Sequence, residues 1–263
     1  MNESNLARWL RWLVYASALV PLIIFSQYMS PFHFGKVVVL RSIVQVMGVL
    51  YLLLIWRDRS YLPKGHPILW AFVAFTAAFT FTSITSVAPM QSFWGTLERM
   101  GGLFTFWHYL AFFIMTVSVL RTRRDWQILL DIMIVAGVAS AIYGFLQKTD
   151  WSFILGSGNR QRIFGTIGNP ALFAGYQILV AFLALTLSFM KRTAKNWRVW
   201  YRIAGGMMLL AAMSTAVRGS LIGIVVGVLV AVLLWTTLNR SHAAKTVLLA
   251  GLSGLVVFVF LAI

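Results

Sequence analysis

VVVLRSIVQVMGVLYLLLIWRDR, residues 37–59, decides the fold. From Val37 to Trp56 the run carries a single charge, Arg41, and it stops at Arg57-Asp58-Arg59. An α-helix rises 1.5 Å per residue, so about 20 mainly apolar residues cross the ~30 Å hydrocarbon core of a bilayer. The run is continuous rather than alternating, which disfavours a strand of a membrane barrel.

Working outward, the pattern recurs along the chain. Trp9–Gln27, Ile68–Val87, Leu103–Leu120, Ile128–Gln147, Ala171–Met190, Ile203–Val217, Leu221–Leu238 and Val247–Ile263 are further apolar runs separated by short polar gaps. The seventh run in chain order is short and contains glycine, and an extension into its aromatic start (Trp197, Trp200, Tyr201) lengthens it. The expectation is an all-α, polytopic transmembrane helical bundle of about nine spans. Composition agrees: of 263 residues, 60% are hydrophobic and only 11% charged, too little polar surface for a soluble domain of this size. Arg8 and Arg11 precede the apolar stretch Trp12–Phe25 of the first run, and the small-residue stretch Ala16-Ser17-Ala18 lies inside it, so it reads as a retained span rather than a cleaved signal.

The 22 Lys and Arg against 6 Asp and Glu give a net charge of +16. No basic helix or aromatic-interleaved basic patch is present, so nucleic acid is not the partner; membrane lipids are. Fifteen of the 22 fall at the N-terminus and in every second gap: Arg8 and Arg11; Arg57, Arg59 and Lys64; Arg121, Arg123 and Arg124; Lys191, Arg192, Lys195, Arg198 and Arg202; Arg240 and Lys245. Seven lie on the other side: Lys36 and Arg41 at the start of the second run, then Arg99, Lys148, Arg160, Arg162 and Arg218. Basic residues favour the cytoplasmic side, which places the N-terminus there. The last run is apolar to its final residue, and the expectation is one transmembrane domain, 1–263, that is the N-terminal part of a larger one.

Basic residues on the outer side run against topology and are candidates for function. Arg160 and Arg162 precede Gly165-Thr166-Ile167-Gly168-Asn169-Pro170. Asn is a favoured helix N-cap and Pro a favoured first helical residue, so a helix starts here with free N–H groups and its positive dipole end facing outward. With arginines in front, that start suits a phosphate or pyrophosphate; a plain turn with lipid-bound arginines is the alternative. Arg218-Gly219-Ser220 repeats the design, with Ser220 as candidate N-cap. Lys36 and Arg41 begin the second run, where Arg41, about a turn inside, can snorkel outward. Glu98-Arg99 precedes Gly101-Gly102. The four histidines, His33, His66, His108 and His242, make no metal-ligand spacing, and there is no Cys. His108, inside a run, is expected to pack with a hydrogen bond. Asp131 is the one carboxylate well within a run.

Arg162-Ile163-Phe164-Gly165-Thr166-Ile167-Gly168-Asn169-Pro170 running into Ala171-Leu172-Phe173-Ala174-Gly175-Tyr176 resembles the R-x-x-G-T-x-G-N-P-N-x-x-A-x-Y segment of the O-antigen ligase and polymerase superfamily. Ser214–Ser220 resembles that family's S-x-S-R-G-A hairpin, Ser92–Leu103 its S-x-x-G-S-x-E-R-x-x-G segment, and Pro31–Lys36 fits its first outer loop. Ala171 stands where the family often has a second Asn, and Ala216-Val217 is more apolar than the usual Ser. The resemblance implies a metal-independent, inverting glycosyl transfer without cofactor. The donor is a glycan on undecaprenyl pyrophosphate in the outer leaflet of the bacterial cytoplasmic membrane, and the acceptor is a lipid, a polysaccharide or a protein hydroxyl. It further implies that outer arginines hold the pyrophosphate, with Arg162, Arg218 and Asn169 foremost and Arg160, Arg99, Lys36 and Arg41 behind them. The family's catalytic His lies in a later outer loop that this chain does not reach, so the catalytic residue is unassigned. Two other classes are considered: a secondary transporter or lipid-glycan flippase, which the lack of a mid-span carboxylate disfavours, and a non-catalytic membrane scaffold.

Overall fold

A computed structural model describes residues 5–28, 30–158, 161–190 and 193–239. Nine α-helices and two short 3-10 turns make up the regular structure of these residues, with no strand among them. Four helices are long and apolar enough to cross a membrane: α2 (Phe34–Arg57), α3 (Pro67–Ile84), α6 (Arg123–Leu146) and α7 (Pro170–Phe189). α5 (Leu103–Val119) and the Arg218–Leu234 stretch of α9 (Arg218–Asn239) are apolar but shorter. α8 (Lys195–Met213) starts at the aromatic extension expected for the seventh run. The ninth run, Val247–Ile263, lies outside the described residues.

The first run is not one continuous span. α1 (Asn5–Ser17) stops after 13 residues and a 3-10 turn follows at Val20–Leu22. Pro21 explains the break: its ring clashes with the carbonyl four residues back, that of Ser17, where the helix ends. Thirteen residues give about 20 Å of helix.

The chain falls into two compact units, Met1–Ser140 with Thr166–Gly168, and Ala141–Gly165 with Asn169–Ile263. In the first, α1, α2 and α5 share a core of Leu10, Val14, Val44, Met47, Leu54, Met115 and Val119. α3 joins α5 through aromatic rings, Phe79 on Phe106 with centroids 4.6 Å apart and Phe72 on Phe113 at 5.4 Å. Thr76, Thr80 and Thr82 of α3 turn their hydroxyls back to the carbonyls of Phe72, Thr76 and Phe79, which satisfies these polar groups on an otherwise apolar helix. Its outward face carries exposed Ile68, Trp70, Phe75, Phe81 and Ile84, as a lipid-facing helix does.

Polar contacts sort this unit into two ends. At one end Arg121 donates to Ser60, Tyr51 donates to the Tyr61 carbonyl, and Arg11 pairs with Asp125 at 3.8 Å. These contacts join the N-terminal segment with the second and fourth gaps. Thr122 and Asp125 form a reciprocal capping box at the start of α6: Asp125 N donates to Thr122 Oγ1 and Thr122 N to the Asp125 carboxylate. At the other end Lys36 and Arg41 meet residues of the third and fifth gaps, described below.

In the second unit α7 lies along α8. Ala174, Ala181 and Ala184 of α7 are fully buried, as are Ala211 and Ala212 of α8, with Ala204 nearly so. Spacings of seven and three in α7, and of seven and eight from Ala204 in α8, put each set on one helix face. A Cβ at Gly205 would come 2.9 Å from Leu185 Cγ and 3.3 Å from the Ala181 carbonyl, so small residues set this close approach.

Candidate functional site

In the second unit the chain leaves α6 and runs through a loop that Gln147 organises. Gln147 is fully buried. Its amide nitrogen donates to the carbonyls of Leu155 and Gly165 at 3.1 and 3.2 Å, and its oxygen accepts from the N–H groups of Phe164 and Gly165 at 3.0 and 2.9 Å. Every donor and acceptor of that amide is used. Tyr143 adds a fifth tie by accepting from Leu155 N at 3.0 Å. Gly165 sits at φ +54° with its α-carbon against Phe173, where a Cβ would lie 2.2 Å from the ring; only glycine meets both conditions.

This framework delivers Arg162. Its Nε donates to the Thr215 carbonyl and its Nη2 to the Ala216 carbonyl, both at 3.3 Å. Ile163 N donates to the Ser214 carbonyl beside them. Arg162 and Ile163 therefore lie against the Ser214–Ala216 turn that leads into α9, whose first residue is Arg218. Arg218 is exposed and makes no hydrogen bond or ion pair among the described residues. Ser220 is not the N-cap: the helix already begins at Arg218, and the Ser220 hydroxyl donates back to the Val217 carbonyl at 2.6 Å, inside the first turn. Asn169 is an N-cap. Its side-chain oxygen accepts from Ala171 N and Leu172 N at 2.9 and 3.2 Å, with Pro170 as the first helical residue of α7. Arg160 lies outside the described residues.

A second group of outer-gap residues gathers within the first unit. Lys36 Nζ donates to the Thr166 carbonyl, and Thr166 Oγ1 bonds Ser140 Oγ at 2.7 Å. Gly168 lies directly over Phe32. The middle of the Gly165–Pro170 segment thus packs on the start of α2. Arg41 does not snorkel: it is buried, 7% exposed. Its Nε and Nη2 donate to Thr105 Oγ1, Nη2 also donates to the Met100 carbonyl at 2.9 Å, and the guanidinium stands 4.9 Å from the Phe104 ring centre. Gly95 and Gly102 meet backbone to backbone, where a Cβ on Gly102 would lie 2.4 Å from Gly95 N. This contact closes the turn that carries exposed Glu98 and Arg99. His33, at the start of α2, has a buried Nε2 without a hydrogen-bond partner among the described residues. Burial, then the positive charges of Lys36 and Arg99, holds its pKa below the ordinary 6.5 against the opposite pull of Glu98.

Arg162, Arg218 and Asn169 therefore belong to one unit, while Lys36, Arg41 and Arg99 belong to the other. Lys36 and Arg41 spend their donors on protein carbonyls and a hydroxyl, whereas Arg99 and Arg218 stand exposed. Gln147, Thr105 and Ser140 were not legible as parts of these clusters, because each is an ordinary polar residue in an apolar run whose partners lie 18, 64 and 26 positions away. His108 packs as expected, Nδ1 at 2.7 Å from the Phe104 carbonyl. Asp131 is half-buried on α6. Among the described residues no three His, Asp or Glu side chains gather as a metal site would require. No family model, curated protein or solved structure matches this chain.

Proposed function

We propose that the chain is an integral membrane glycosyltransferase of the O-antigen ligase type, acting on an undecaprenyl-pyrophosphate-linked glycan at the outer face of the bacterial cytoplasmic membrane. The acceptor is a lipid, polysaccharide or protein hydroxyl. Its oxygen attacks the anomeric carbon, the bond from that carbon to the pyrophosphate oxygen breaks with inversion, and undecaprenyl pyrophosphate leaves. The observation that carries the reading is Arg162 seated on the carbonyls of Thr215 and Ala216, two residues ahead of exposed Arg218. One guanidinium seated on the turn and a second carried by the residue that opens the next helix suit a diphosphate whose charge grows as the glycosyl bond breaks. The Asn169-capped start of α7 follows the same segment and adds the positive end of a helix. The resemblance of Arg162–Tyr176 and Ser214–Ser220 to the family's motifs points the same way, and the two segments, distant in sequence, meet through Ile163 N and the Ser214 carbonyl.

The proposed topology is nine crossings with a cytoplasmic N-terminus. Its support is the charge bias together with the contacts of the first unit, where Arg121 of the fourth gap bonds Ser60 of the second and Lys36 of the first gap bonds Thr166 of the fifth. The reading is tested by glycan transfer in cells carrying the intact protein. Arg162→Ala and Arg218→Ala each abolish transfer while membrane insertion stays normal; undiminished transfer in both variants contradicts it.

A further inference from the structure

Where α2 ends, α3 begins and α5 ends, the first unit opens a cleft of about 750 Å³, the size of a small-molecule site. Its apolar lining includes buried Leu69 of α3 with Phe113 and Val117 of α5, and exposed Ile68 at its edge. Its rim is cationic, with Lys64 and Arg121, and among the described residues no carboxylate lines it. The two acidic residues nearby along the chain lie off the lining: Asp58 accepts from Ser60 N at 2.9 Å and feels the positive charge of Arg121, and Asp125 accepts from the Arg121 backbone N–H at 3.3 Å.

The two cations differ in kind. Arg121 is locked: Nε donates to the Ser118 carbonyl, both terminal nitrogens reach Ser60, and the guanidinium carbon lies 3.6 Å from the centre of the Tyr61 ring. These bonds occupy four of its five N–H donors and fix the direction of the group, so little entropy is lost when an anion arrives. Lys64 is exposed and makes no hydrogen bond among the described residues. It is an exposed, unbonded charge on the same cleft as a fixed one.

We propose that this cleft binds the headgroup of an anionic glycerophospholipid, with the phosphate between Lys64 and Arg121 and an acyl chain along Leu69, Phe113 and Val117. The rim alone suits any phosphate ester. The apolar lining, continuous with the outer surfaces of helices that face hydrocarbon, selects one that carries a hydrocarbon chain. The site lies at the opposite end of the first unit from Lys36 and Arg41, and its lining includes none of the residues assigned to the glycan donor. It stands or falls independently of that assignment.

The full chain, purified and exchanged into defined lipid, tests this by native mass spectrometry with phosphatidylglycerol, phosphatidylcholine and free glycerol phosphate as probes. Phosphatidylglycerol stays bound after phosphatidylcholine has exchanged, and glycerol phosphate does not displace it. Lys64→Gln, which breaks no internal bond, lowers phosphatidylglycerol occupancy about fivefold, while Arg8→Gln, outside the cleft, leaves it unchanged. Arg121→Gln also loosens the Ser60 turn, so Lys64→Gln decides. Equal retention of the two lipids overturns the proposal, as does an equal loss in Lys64→Gln and Arg8→Gln, which is the mark of diffuse attraction. Displacement by glycerol phosphate overturns the lipid and leaves a site for soluble phosphate esters.

Discussion

The Arg162 guanidinium donates to the carbonyl of Ala216 at 3.3 Å, and Ala216 is held at φ +52°. A non-glycine residue in the left-handed region costs about 1 kcal/mol or more, so this turn is kept by what holds it. The Ala216 conformation turns its carbonyl toward Arg162 just before α9 begins.

Ala216→Gly relieves that strain and is expected to leave stability unchanged or raise it by up to about 1 kcal/mol, whereas Ala216→Val, β-branched at a positive φ, lowers it by more than that. Thermal unfolding of the purified protein in detergent checks the order Gly ≥ Ala > Val.

Gln147 is the bolt of the loop that carries Arg162. Gln147→Leu keeps the volume but strands buried N–H and C=O groups of Phe164, Gly165 and Leu155. A loss of about 2–4 kcal/mol follows, since each unsatisfied buried group costs about 1–3 kcal/mol and some recover water. Hydrogen exchange reads it as lost protection at Phe164 and Gly165 with the middle of α7 unaffected. Gly165→Ala is expected to be at least as damaging, because the new methyl meets the Phe173 ring.

Arg41 and Arg99 separate a tether from a free cation. Arg41→Ala unties Met100 and Thr105 and empties a buried site, and it lowers stability by roughly 2–4 kcal/mol. Arg99→Ala, on an exposed turn, stays within about 0.5 kcal/mol. Parallel melting curves check this. If Arg41→Ala instead left stability intact, Arg41 would be serving a ligand rather than the fold.

His33 gives the first unit a pH dependence of defined sign. Its folded pKa lies below the ordinary 6.5, so between the two values the unfolded chain binds more protons than the folded one. Stability is therefore full above about pH 6.5 and falls as the pH drops below it toward the folded value. His33→Gln flattens this part of the profile, seen as a smaller drop in melting temperature between pH 7 and pH 5.5.

Much of the architecture was legible because membrane helices announce themselves by length and apolarity, as α2, α3, α6 and α7 do. The Asn169-Pro170 start was legible for a local reason: cap and first residue are adjacent and need no distant partner. Pro21 was legible too, four residues beyond the last helical carbonyl, but apolarity alone carried the expected first span past it. Ser220 was misplaced as a cap because a hydroxyl near a helix start suits either the cap or the first turn. Gln147 and the inward turn of Arg41 were beyond sequence reasoning, since both depend on loops folding back from 18 and 59 residues away.

The central claim is that Arg162 and Arg218 together grip a lipid-linked diphosphate, and binding of undecaprenyl pyrophosphate and undecaprenyl monophosphate to the full chain tests it most directly. The diphosphate binds more tightly, Arg162→Gln and Arg218→Gln each weaken it about tenfold or more, and Lys64→Gln leaves it unchanged. Equal affinity for mono- and diphosphate, or diphosphate binding that survives both arginine substitutions, contradicts the account.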